Sequence, residues 1–157
     1  MRNEIRRKDR EISYDEAYNV LLNAEYGTLS LVDGDFAYAI PMSFAIKDNV
    51  VYFHSAMEGS KITIMNTNQN ACFSVVGKTM PIYNKQFTTY YESAIIHSKI
   101  VFVNDDDEKI EALRLLCQKY LPNDMDKFEA AIKMSLSRTN VFKMNIELLK
   151  GKRKGNI

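Results

Sequence analysis

The sequence predicts a mostly β fold, a small antiparallel barrel with helices packed against it. Two observations carry that expectation. Short runs rich in Val, Ile, Tyr and Phe recur from Thr28 to Val103, with Asp33-Gly34 and Asp48-Asn49 as turn signals between the first of them. Helical spacing is confined to a few segments, so strands rarely alternate with long helices and a doubly wound parallel sheet is disfavoured.

Each element has its own justification. Ser13-Tyr14-Asp15-Glu16 is a capping-box pattern, and Ala17, Val20, Leu21 and Ala24 follow on one helical face. Gly27 stands where a C-terminal glycine would stop that helix. Strands are expected over 28–32, 36–46 and 50–55, a meander with tight turns. A short helix over 59–66 precedes a strand over 71–76 and a long apolar strand over 92–103. Asp105-Asp106-Asp107 opens a helix with Ile110, Leu113, Leu116 and Tyr120 on one face. Acids there complement the positive helix N-terminus, which explains them better than a metal site does. Pro122 breaks that helix, Asp124 restarts one through Phe128, Ala131 and Ile132, and 139–149 closes the chain as a sixth strand.

With 157 residues, the chain fits one domain, 1–157, that buries a core without metal or disulfide support. Its net charge is +1, so no bulk field favours nucleic acid. The basic ends, Arg6-Arg7-Lys8 and 150–154, read as solvated tails. No apolar run is long enough to span a bilayer and the N-terminus is polar, so a cytoplasmic protein is expected. The two cysteines, Cys72 and Cys117, lie far apart without CxxC spacing, as suits a reducing compartment. The two histidines, His54 and His97, have no paired ligands at metal spacing, so no metal site is expected.

The segment richest in chemistry runs from Tyr52 to Lys61, off a strand end, through a glycine turn and into a helix. Free N–H groups at a helix N-terminus bind anions, and Ser60 and Lys61 add a hydroxyl and a charge. His54 and Ser55 lie at the strand end and can approach the same anion. The spacing is not that of a Walker A loop, and the same residues also make a plain strand–turn–helix with a surface lysine. Pro41-Met42-Ser43-Phe44 interrupts a strand with proline, which marks an edge or a bulge and frees backbone groups for a flat heterocycle. Thr88-Thr89-Tyr90-Tyr91-Glu92-Ser93 offers tyrosines and hydroxyls to a ring or a phosphate, and equally makes a good strand start.

Taken together, these pieces resemble the FMN-binding split-barrel superfamily, in the pyridoxamine 5'-phosphate oxidase-related branch known for nitroimidazole resistance or reduction. The matching segments are Arg6–Ile12, Tyr26–Leu31, Tyr38–Phe44, Tyr52–Ala56, Gly59–Lys61, Cys72–Val76, Tyr91–Ser93 and Glu108–Leu113. They occur in family order over nearly the whole chain.

The resemblance implies a six-stranded antiparallel split β-barrel flanked by α-helices, and a homodimer with two flavins at its interface. Pro41, Met42, Ser43 and Phe44 would line the flavin ring, with Tyr52 beside them. His54 and Ser55 would lie by the ring and phosphate, with Ser60 and Lys61 on the phosphate. Ser60 stands where the family often has a second basic residue. Tyr91 and Ser93 would reach in near the cofactor, from the same chain or its partner, and His54 is the catalytic candidate. The cofactor implied is FMN, with FAD or haem as alternatives and NAD(P)H as electron donor to a small oxidised substrate. A non-catalytic flavin- or haem-binding protein on the same barrel is the other reading.

Overall fold

A computed structural model describes residues 4–157. Its strands are β1 (Glu11–Ile12), β2 (Gly27–Asp33), β3 (Phe36–Met42), β4 (Ala45–Lys47), β5 (Val50–Ala56), β6 (Asn70–Tyr83), β7 (Phe87–Phe102), β8 (Thr139–Asn145) and β9 (Leu148–Lys154). Helices α1 (Tyr14–Asn23), α2 (Ser60–Thr67), α3 (Asp106–Tyr120) and α4 (Phe128–Ser135) sit among them. All strand pairings are antiparallel, in the order β3-β2-β6-β7-β8-β5-β4. The barrel splits at β7, which pairs with β9 over Tyr91–His97 and then with β8 over Ile100–Phe102. The two ends of the order, β3 and β4, are consecutive in the chain and joined by Ser43 and Phe44. The expected class holds. Among the described residues no helix is long and apolar enough to cross a membrane.

The six expected strands become nine for identifiable reasons. The run 36–46 alternates as one strand would, but it turns a corner at Ser43–Phe44 and serves both sheets as β3 and β4. The run 139–149 divides into β8 and β9 at Ile146-Glu147. The segment 150–154 is not a solvated tail: Glu92 and Arg153 sit opposite one another across β7 and β9. There Arg153 bonds Glu92 at 3.2 Å and Glu16 at 2.7 Å. Two residues of β1 complete the edge beside β9. β6 and β7 also outrun their expected bounds, continuing past a bulge after Val76 as a two-stranded arm with Tyr83 and Phe87 at its tip. That tip is exposed, Phe87 by 94%.

The helices begin as the residues dictate. Ser13 and Glu16 form the reciprocal capping box of α1, and Asp105 accepts the Glu108 N–H at 2.8 Å to open α3. Gly27 does not stop α1, which ends at Asn23 with Ala24 as its cap. It starts β2 instead, where a Cβ would stand 2.3 Å from the Phe73 ring and 2.7 Å from the Ser74 carbonyl. Gly27→Ala is therefore expected to lose about 1–3 kcal/mol by overpacking, read as a lower urea midpoint with an unchanged slope.

The barrel interior holds Leu29, Phe44, Phe53, Phe73, Ile96 and Phe142, closed by Val20 and Leu21 of α1 and Ile64 and Met65 of α2. Phe73 meets Phe44 and Phe53 edge-on, each at 5.0 Å between centroids. A second cluster packs α3 and α4, through Leu113, Leu116, Phe128 and Ile132, onto Ala45 and Val141 of the barrel wall. These two cores fix the outer surface of β4 and β5, where the site candidates lie.

Candidate functional site

The strand β5 alternates: Val51 and Phe53 face the core, and His54 emerges exposed on the other side. The chain then leaves the sheet at Ala56 and enters α2 at Ser60 through Gly59, whose φ of 130° is open to glycine and strained for other residues. No side chain caps α2. The N–H groups of Ile62 and Thr63 turn back to the Gly59 carbonyl, at 2.9 and 3.3 Å. Those of Ser60 and Lys61 precede any intrahelical acceptor. Lys61 is half-buried and takes part in none of the ion pairs among the described residues. An uncapped helix N-terminus beside an uncommitted ammonium is an anion-binding arrangement.

The β3–β4 corner lies against the same surface. The β4–β5 ladder sets Ala45 opposite Tyr52. Ser43 precedes that register in the corner, and His54 follows it on β5. Both are exposed. Pro41 is exposed on the edge strand β3, where its missing N–H is tolerated. His54 is desolvated by the protein mass behind it, and this lowers its pKa below the ordinary imidazole value.

Other candidates are placed elsewhere. Met42 and Phe44 turn their side chains into the core, leaving only their backbone at the corner. Tyr52 donates to Glu108 Oε1 at 2.9 Å, and Lys143 donates to the same oxygen at 2.6 Å, a cluster that ties α3 to the barrel. Desolvation and the Glu108 bond push the Tyr52 hydroxyl up to about 12. Ser55 stays at the end of β5, its hydroxyl donating to the Ala56 carbonyl at 2.8 Å. Tyr91 and Ser93 lie on β7, with β2 and β6 between them and β3: Pro41 pairs with Thr28, Thr28 with Ser74, and Ser74 with Ile95. The Val103 N–H donates to the Val141 carbonyl at 2.9 Å, and Val141 is the residue paired with His54. The far end of β7 thus meets the strand beside β5, ten residues on from Ser93.

Sequence reasoning missed three residues that shape this surface. Asn140 reaches the Ala56 and Met57 carbonyls, at 3.4 and 3.3 Å, and so holds the loop before α2. Tyr120 and Lys119 reach the corner from α3. None carries a local signal, because each acts across more than 70 residues of sequence.

A cleft of about 940 Å³ lies between the end of α1 and the β6 bulge, lined by Tyr26, Thr28, Ser74, Lys78, Glu92 and Arg153 among others. It contains none of the candidates. Its half-buried charges Glu92 and Arg153 pair with one another, and Arg153 also pairs with Glu16. The uncommitted cation and the exposed histidine outweigh its size, and the corner beside α2 is the candidate site.

Solved structures with this architecture are numerous. One, from Bacteroides thetaiotaomicron, is named for 5-nitroimidazole antibiotic resistance. It is 23% identical with a TM-score of 0.76, over 90% of this chain and 85% of that one. The flavocytochrome Anf3 of Azotobacter vinelandii superposes with a TM-score of 0.85 at 15% identity, over 99% of this chain and 74% of its own. An FAD and heme binding protein of Mycobacterium smegmatis gives 0.83 at 17% identity, over 94% and 74%. Identities this low show a shared fold alone. No curated protein sequence matches the chain. The sequence profile of pyridoxamine 5'-phosphate oxidase matches residues 13–153, nearly the whole length. With that match and this barrel, the chain belongs to the pyridoxamine 5'-phosphate oxidase family.

Proposed function

We propose that the chain is a single-domain, cytoplasmic FMN-dependent oxidoreductase that passes electrons from NAD(P)H to a small oxidised substrate such as a nitroimidazole or other nitro-aromatic. The observation that carries this reading is the uncapped start of α2, with Lys61 uncommitted, next to an exposed His54 and the broken corner at Ser43. These residues fit the cofactor. The N–H groups of Ser60 and Lys61, the Ser60 hydroxyl and the Lys61 ammonium suit a phosphate dianion. Pro41 and Ser43 are exposed at the free edge of β3 and its corner, where a flat ring could lie. When bound, FMN supplies the two-electron chemistry, and the protein's part is binding, orientation and protons. Purified protein should be yellow, and NAD(P)H without air should bleach it. A colourless protein that takes up no FMN would overturn the reading.

A non-catalytic flavin- or haem-binding role is the second reading, supported by the flavocytochrome and the FAD and heme binding protein among the similar structures. Absorption separates it. A Soret band, or a flavin that NAD(P)H never reduces, favours storage or sensing over catalysis.

The working unit in this proposal is a homodimer with flavin at the subunit interface. One chain leaves the site open to solvent at Ser43, His54 and Ser60, and carries Tyr91 and Ser93 on β7, with β2 and β6 between them and β3. Outward residues of β2, β6 and β7 supply a mating face: Thr28, Ser30, Cys72, Ser74, Ser93 and Ile95 are uncharged and half-exposed in adjacent positions. A two-fold contact places like on like, so an uncharged face suits a second copy. Ile95→Glu is expected to give monomers by light scattering at micromolar concentration, where the parent is a dimer. A parent that is monomeric while holding flavin would refute the interface.

A further inference from the structure

The barrel closes at Ser43 and Phe44, where strand pairing lapses and backbone groups lose their ladder partners. Two side chains from the last turn of α3 replace them. The Tyr120 hydroxyl accepts the Phe44 N–H at 2.9 Å and donates to the Glu25 carbonyl at 2.6 Å. Lys119 places its ammonium 3.7 Å from the centre of the Phe44 ring and donates to the Ala24 carbonyl at 2.8 Å. Both residues therefore grip two things at once, the corner and the loop between α1 and β2. Phe44 itself is fully buried against Phe73, so its backbone is held from the core side by packing and from the outer side by α3.

Lys119 is costly to place this way. It is half-buried and makes no ion pair among the described residues, and desolvation pushes its amine down to about 8. A solvated lysine at this surface would avoid that penalty, so the retained geometry has a local use: an ammonium over an aromatic face, bonded to the free carbonyl at the end of α1.

We infer that Tyr120 and Lys119 are positioning residues that hold the Pro41–Phe44 corner in the shape that receives the flavin ring. The inference rests on the proposal that flavin binds at this corner. It goes further by separating the site into two independent halves: the start of α2 holds phosphate, and α3 shapes the ring's seat through Phe44. Neither α3 residue touches the ligand. Their effect passes through one backbone amide and one buried ring.

The test is a comparison of FMN and riboflavin binding to the apoprotein of Tyr120→Phe, below its melting transition. A seat for the ring is common to both ligands, so both affinities should fall by the same factor, about tenfold, the usual scale for one lost hydrogen bond. The Phe44 amide should exchange with solvent faster in the same variant. A Tyr120→Phe protein that melts lower but binds both flavins as the parent does would show a merely structural role and overturn the inference. If Tyr120→Phe does not fold, Lys119→Met serves, since it keeps the stem over Phe44 without the charge. The same equal loss is expected from it, and unchanged affinities would again refute the idea. Failure of the underlying reading looks different: the parent itself would then bind neither flavin.

Discussion

Lys61→Ala is expected to weaken FMN by one to two decades and to leave riboflavin almost untouched. The lysine sits in the first turn of α2, half-buried and without a carboxylate partner among the described residues, so its charge is available to an incoming anion. A hydrogen bond to a charged group is worth about 1.5–3 kcal/mol, which is that many decades of affinity. Binding should survive in part, because the N–H groups of Ser60 and Lys61 and the helix dipole remain in the variant. Riboflavin has the ring without the phosphate and reports on the seat alone. Fluorescence titration of the apoprotein with each ligand gives both numbers. Equal losses would mean that Lys61 supports the fold, and equal losses from Tyr120→Phe with unequal ones from Lys61→Ala would locate ring and phosphate on different elements.

Much of the fold was legible because buried strands leave a period of two. The inward residues Leu29 and Leu31, Val51 and Phe53, and Phe73 and Val75 each alternate with outward ones, and each lies in a strand. The capping signals of α1 and α3 are local and held for the same reason. What escaped has no buried face to mark it. The arm beyond Val76 is two strands thick and exposed, so Met80, Tyr83 and Phe87 follow no core-directed pattern. Lysines at 150, 152 and 154 looked like a tail because their alternation is with glycine and arginine, and because the partners that order β9, Glu11, Glu16 and Glu92, are distant in sequence. Gly27 carried a true signal with the wrong cause: it serves a close approach to Phe73 and does not end α1.

The placement of the candidate residues was legible where it is local and illegible where it is tertiary. Ser60 and Lys61 follow a glycine turn within a few residues, so their position at the start of a helix could be read from the chain. Tyr52 lies two residues from His54 and shares its side of β5, yet α3 covers it and Glu108 engages it. Nothing in the segment Tyr52–His54 announces that. The corner is held at Phe44 by Tyr120, which folding brings back across 76 residues.

His54→Gln is expected to keep flavin occupancy while lowering anaerobic turnover of a nitroimidazole by about two decades or more, the usual scale of general-acid assistance. His54 stands exposed near the end of β5, six residues before the start of α2, where a substrate lying on the proposed flavin would be within reach of its imidazole. Reducing a nitro group consumes protons as well as electrons, and glutamine can hydrogen-bond but cannot deliver a proton at neutral pH. The lowered pKa gives a second signature. If protonated His54 is the donor, turnover rises as pH falls and its midpoint lies below the ordinary imidazole value of about 6.5. The variant should lose that pH dependence along with the rate. A purely positional histidine behaves otherwise: His54→Gln would then shed flavin, and protein reloaded with FMN would turn over at the parent rate across the whole range. A variant unchanged in both occupancy and turnover would place the reacting centre away from β5, leaving the start of α2 as a phosphate site without the chemistry beside it.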